Sequence, residues 1–156
     1  MVAHSGGLAT GLVGARDQPA NDAGSGESGT RRATARPRRV LLVEDEDMVR
    51  KVVSRMLAAR GFEVFTAASG SEALAIFESR LDDIDLLVTD LMVPDGGGLS
   101  VARTLKARMP KLEVLLVSGY SPATADGWGQ ERFRFLTKPF GAAELSKVLD
   151  ELFAPR

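Results

Sequence analysis

Val40-Leu41-Leu42-Val43-Glu44-Asp45-Glu46-Asp47 is the stretch that decides the fold. Four apolar residues in a row, without alternation, are what a central parallel strand covered on both faces requires, and the abrupt change to four carboxylates marks its end. Val49, Val52, Val53 and Met56 then recur at helical spacing, and Gly61 stands where a glycine would close that helix. The same alternation continues downstream. Glu63–Ala67 reads as a second strand, and Ala73, Ile76 and Phe77 give the next helix an apolar face with Glu72 and Glu78 outside it. Ile84–Thr89 reads as the third strand, with Asp90 just past its end. Pro94 and the triplet Gly96, Gly97 and Gly98 then predict a loop without regular structure. Val101, Ala102 and Leu105 mark a helix that Pro110 ends. Val114–Val117 and Phe133–Leu136 are strands four and five, and Leu145, Val148, Leu149 and Leu152 mark the last helix. Between Ser121 and Arg132 the expected helix is short or irregular, because Pro122, Gly127 and Gly129 interrupt it. Strands alternating with helices predict an open parallel α/β sheet of five strands and five helical segments.

Composition bounds the rest. A chain of 156 residues, 44% hydrophobic, can bury one core. Residues 1–37 are rich in Gly, Ala, Ser, Thr and Arg with no apolar periodicity, so a disordered tail is expected before a domain over 38–154. Arg31, Arg32, Arg36, Arg38 and Arg39 gather at its end without interleaved aromatics, which reads as a solubilising boundary. The absence of cysteine excludes disulfides, thiolate metal sites and a cysteine nucleophile. With 20 basic and 21 acidic residues, net charge −1, no global field draws the protein to nucleic acid or membrane. Short apolar runs and no signal-like N-terminus predict a soluble, cytoplasmic protein.

In open parallel sheets, ligands bind beyond the carboxyl ends of the strands. The polar residues fall there: Glu44 and Asp45 after strand one, Asp90 after strand three, Ser118 after strand four and Lys138 after strand five. Adjacent strands lie about 4.8 Å apart, so carboxylates ending strands one and three crowd one pocket if those strands are neighbours. A hard divalent cation relieves that crowding, and Mg²⁺ suits all-oxygen ligands. A lysine and a hydroxyl beside them could hold the oxygens of a phosphoryl group. Singly, each residue has a plainer account. Glu44 to Asp47 favour a helix N-terminus, Asp90 suits a turn, and Ser118 and Lys138 suit loop ends. Their occurrence together at four strand ends is what points to phosphoryl transfer.

The segments VLLVEDEDMVR, DLLVTDLMVPDGGG, VLLVSGYS and FLTKPF resemble, in order, the signature regions of two-component response-regulator receiver domains, and the resemblance spans about Arg38 to Phe153. It implies a flavodoxin-like (βα)5 three-layer sandwich with strand order 2-1-3-4-5. It implies Asp90 as the phosphoacceptor, with Lys138 and Ser118 assisting. It further implies Mg²⁺ held by Glu44, Asp45, Asp90 and the backbone carbonyl of Met92, a Ser118–Phe135 switch, and a cis bond at Lys138-Pro139. The donor is then a histidine kinase or histidine phosphotransfer protein. The protein acts as a signalling phosphoacceptor that catalyses its own phosphorylation, read out on the face of helix four, strand five and helix five.

Three departures stand out. Glu44 is longer than the family's usual aspartate. Met92 and Tyr120, two residues beyond Asp90 and Ser118, are poorly suited to orienting a hydrolytic water, so slow dephosphorylation is expected. The segment between Ser118 and Phe135 is short and carries Trp128, a candidate partner anchor. Met92, where a haloacid-dehalogenase-type phosphatase needs a second aspartate, argues against that class. The acidic run after strand one argues against a flavin phosphate site. The remaining alternative is a receiver-fold docking module that needs no phosphorylation. No DNA-binding or other output domain is expected after the last helix, and VSGYS and FLTKPF suggest kinship with receivers of hybrid sensor kinases.

Overall fold

The computed structural model describes residues 36–80, 83–119 and 133–155. Five strands carry the architecture: β1 (Arg39–Val43), β2 (Glu63–Ala67), β3 (Leu86–Asp90), β4 (Glu113–Ser118) and β5 (Arg134–Thr137). All neighbouring pairs are parallel, and the order is β2-β1-β3-β4-β5. Helices α1 (Asp47–Ala59), α2 (Gly70–Ser79), α3 (Gly97–Arg108) and α4 (Ala142–Leu152) cover its two faces. This is the flavodoxin-like three-layer sandwich with strand order 2-1-3-4-5 that the resemblance implies.

The unbroken apolar run of β1 is explained by its two faces. Leu41 and Val43 join Ala73, Phe77, Val101, Ala102 and Leu105 in the core under α2 and α3. Val40 and Leu42 join Val53, Leu57, Leu145, Leu149 and Leu152 in the core under α1 and α4. Successive strand residues point to opposite faces, so a strand between two helical layers needs an apolar residue at every position. β3 is built the same way and is buried throughout, Asp90 included.

Local signals set the boundaries. Gly61 at φ 95° closes α1, with its N–H donating to Ala58 O and the Phe62 N–H to Leu57 O, the paired bonds of a Schellman turn. Ser69 caps α2 by accepting from the Glu72 N–H at 3.1 Å. One expectation is corrected: the glycine triplet does not exclude regular structure. Only Gly96 lies outside the helix, as the N-cap of α3, and Gly97 and Gly98 form its first turn. The reason is close approach. A Cβ on Gly98 would lie 2.0 Å from Asp90 O and 2.9 Å from Thr89 Oγ1, so only glycine lets α3 start against the end of β3. Asp90 is also the last residue of β3 rather than the first beyond it.

The tail of residues 1–37, apart from Arg36 and Pro37, lies outside the described residues, as do Tyr120, Trp128 and the irregular helix expected over Ser121–Arg132. Among the described residues no helix is long and apolar enough to cross a membrane.

Gly98→Ala is expected to lower the unfolding free energy by about 3 kcal/mol, because the obstructing atoms belong largely to main chain. Gly61→Ala meets nothing within 4 Å and is strained only in φ, so it is expected to cost about 1 kcal/mol. Urea denaturation of the two variants checks the contrast.

Candidate functional site

Strand register assembles the site. Val43 of β1 pairs with Thr89 of β3, so Glu44 and Asp90, each one residue further on, stand side by side. Ser118 pairs with Thr137, which brings Lys138 to the same edge. The Lys138 N–H donates to the Ser118 carbonyl at 2.8 Å, and the Lys138-Pro139 peptide bond is cis, as the resemblance implied.

The Lys138 ammonium donates to Glu44 Oε1 at 2.9 Å and to Asp90 Oδ2 at 2.5 Å. The other Asp90 oxygen, Oδ1, accepts the Met92 N–H at 2.8 Å. Glu44 Oε2 accepts the Glu46 N–H at 3.1 Å. Glu44, Asp90 and Ser118 are buried and Asp45 is exposed. Met92 turns its side chain to solvent at 65% exposure, so its contribution to the site is main chain. Phe135 is half-buried, packed against the core under α2 and α3.

Burial pushes the Glu44 carboxyl above its ordinary value, and the hydrogen bonds from Lys138 and the Glu46 N–H only partly offset this. For Lys138, burial favours the neutral amine, but hydrogen bonds to Asp90 and Glu44 outweigh it and raise the ammonium above its ordinary value. Lys138 therefore contributes stability that is complete below the ordinary lysine range and is lost as pH rises through the raised value. Glu44 runs in the same direction: burial penalises its charged form, so stability falls as pH rises from the ordinary carboxylate range through its raised one.

Glu44, Asp90, Ser118 and Lys138 are thus gathered at one edge, with the Met92 main chain beside them. The donor types, carboxylates of Glu44, Asp45 and Asp90 with a backbone carbonyl at Met92, are those a hard divalent cation such as Mg²⁺ takes, and in this sense the residues fit the ion. Among the described residues no three acidic or histidine side chains converge into a metal-sized group. The charge standing between Glu44 and Asp90 is the Lys138 ammonium. Sequence reasoning missed three supports. Thr89 Oγ1 donates to the Asp90 carbonyl at 3.0 Å. Arg50 donates to the Glu44 carbonyl at 2.9 Å and to Asp47 Oδ1 at 2.6 Å. Gly98 backs Asp90 directly. Only Arg50 had a sequence signal, its i,i+3 spacing from Asp47.

A buried carboxylate thus stands at the carboxyl edge of a parallel sheet, held by a lysine and a main-chain amide, and the chain belongs to the response regulator receiver domain family, whose pattern matches residues 40–150. It is 39% identical over 121 residues to the sensor kinase CckA of Brucella abortus (strain 2308), covering 72% of this chain but only 12% of the kinase. The crystal structure of the receiver domain from hybrid histidine kinase CckA matches with TM-score 0.62 and 36% identity, over 73% of this chain and 97% of that one. The response regulator TrrA of Thermotoga maritima, solved in complex with Mg(2+)-BeF, matches with TM-score 0.66 and 29% identity, over 74% and 99%. The chain is a receiver domain of the two-component class.

Lys138→Met leaves the Glu44 carboxylate buried without its cation. It is expected to cost about 2 kcal/mol at neutral pH. Part of the loss should return on mild acidification, as Glu44 takes up a proton, and urea melts at the two pH values check this.

Proposed function

We propose that residues 38–154 form a cytoplasmic receiver that accepts a phosphoryl group from phosphohistidine onto Asp90 in a Mg²⁺-dependent reaction, and that the acyl phosphate switches protein contacts. The observation that carries this reading is the division of labour on the Asp90 carboxylate. Oδ1 is oriented by the Met92 N–H and Oδ2 by the Lys138 ammonium. A carboxylate so fixed has little orientational freedom left to lose, which is the entropic part of an in-line displacement.

In the transfer, the bond from an Asp90 oxygen to phosphorus forms as the phosphorus–nitrogen bond breaks, and the imidazole leaves with the electron pair. Lys138 shifts its ammonium from Asp90 to an oxygen of the incoming group, remaining charged throughout. Glu44, Asp45, Asp90 and the Met92 carbonyl would hold Mg²⁺, which would supply further positive charge against the transferring oxygens. Ser118 donates its hydroxyl to another phosphoryl oxygen, and Phe135 turns inward into the space Ser118 leaves. Only the difference in contacts between the two states drives this switch.

The donor is a histidine kinase or histidine phosphotransfer protein. Kinship with the CckA receiver supports it, and so does an apolar surface beside the site. Met48 and Val52 are exposed on α1 and, with Met56, Pro139 and Phe140, line a cleft of about 300 Å³ that reaches Lys138. Apolar surface of that kind, rimming a charged site, suits a protein donor.

Incubation with acetyl phosphate and Mg²⁺ is expected to add one phosphoryl group by intact mass. Asp90→Asn, or omission of the metal, abolishes the gain. A native protein that gains nothing and binds no metal is instead a docking module. A second expectation concerns lifetime: with methionine two residues beyond Asp90, no side-chain amide orients the hydrolytic water. Met92→Asn should shorten the acyl-phosphate half-life about 10-fold in a mass-spectrometric decay course.

A further inference from the structure

The loop that follows Asp90 is anchored by α2, a helix that carries none of the residues named so far in the transfer. Gly70, the first residue of α2, donates its N–H to the Pro94 carbonyl at 2.9 Å. Ser71, the next residue, donates its hydroxyl to Asp95 Oδ2 at 2.6 Å. The approach is intimate: a Cβ on Gly70 would lie 2.4 Å from the Asp95 carbonyl oxygen. Asp95 is the one non-glycine residue among those described at positive φ, 65°, a conformation that a side chain holds at a cost and keeps only when its surroundings enforce it. Ser69 Oγ, 3.3 Å from Ser71 Oγ, completes a short hydroxyl chain at the helix start.

The near end of this loop is the transfer site. Met92 gives its N–H to Asp90 Oδ1 at 2.8 Å, and Leu91 is tied to β4 through Val117 O at 3.0 Å. The far end is tied too, by the Gly98 N–H on Leu91 O at 2.9 Å. Between these two ties, the Ser71–Asp95 hydrogen bond and the Gly70–Pro94 bond are what hold Pro94 and Asp95 against a neighbouring element.

We propose that Ser71 and Asp95 are positioning residues for phosphoryl transfer: their hydrogen bond pins the loop to α2 and thereby holds the Met92 peptide in register with the Asp90 carboxylate. Neither side chain touches the phosphoryl group. The inference rests on Asp90 being the phosphoacceptor.

The test follows phosphorylation by acetyl phosphate with Mg²⁺, by intact mass against time. It compares the full native chain with Ser71→Ala, Asp95→Gly, the double variant and Asp95→Asn. Asp95→Gly is the decisive one, because glycine relieves the backbone conformation while removing the carboxylate. Its melting temperature should equal or exceed the native one, while its maximal rate falls about 10-fold with the half-saturating acetyl phosphate concentration unchanged. Ser71→Ala should fall alike, and the double variant should be no slower than the slower single, since both remove one interaction. Asp95→Asn tolerates positive φ and keeps an acceptor oxygen, so it should restore most of the rate. Asp95→Gly and Ser71→Ala reacting at the native rate overturns the proposal, as do losses that multiply in the double variant. A native chain that gains no phosphoryl group overturns the Asp90 reading and this one with it; a native chain that reacts no faster than its variants overturns this one alone.

Discussion

One ammonium shared by two carboxylates holds the working edge of this sheet together. Glu44 and Asp90 end neighbouring strands, and strand spacing alone forces them close enough to repel. Lys138 lies between them, bonded to both. Its own place is set by a main-chain bond to Ser118. The arrangement links β1, β3 and β5 through charge, where the rest of the sheet is linked through backbone ladders. One ammonium against two carboxylates leaves this edge with an excess of negative charge.

How much of this was legible in the sequence follows from what kind of interaction decides each feature. β1 was readable because burial on two faces leaves an unmistakable run, Val40 to Val43, and Gly61 because a left-handed position selects for glycine. The positions of Glu44, Asp90, Ser118 and Lys138 at strand ends were readable once the strands were. The triplet Gly96 to Gly98 was misread because glycine has two uses that look identical in a sequence: conformational freedom, true of Gly96 at φ 104°, and absence of bulk, true of Gly98 against Asp90. The exposure of Asp45 beside a buried Glu44 was hidden as well, since two adjacent acidic residues at a strand end look equivalent until the backbone sends them different ways. Thr89 and Ser71 carried no signal at all, because what they touch is far away in the chain or lies in the main chain.

The site is built against stability. Burial raises the Glu44 carboxyl, and the Asp90 carboxylate is buried beside it. Apolar residues of similar size at these places would pack more favourably. The two cores, one on each face of the sheet, supply the surplus, and Phe77 of α2 in one and Leu57 of α1 in the other are fully buried.

The missing side chain at Gly98 has a mechanical meaning. Where two elements meet through side chains, rotamers absorb small displacements. Here the first turn of α3 rests on the carbonyl of Asp90 with nothing compliant between them. The helix is 12 residues long, a rod of about 18 Å, and its far end is ion-paired through Arg108 to Glu78 on α2. A displacement of the Asp90 main chain therefore meets the helix backbone before any side chain can yield, and the helix takes up the load as one stiff piece from Gly98 to Arg108.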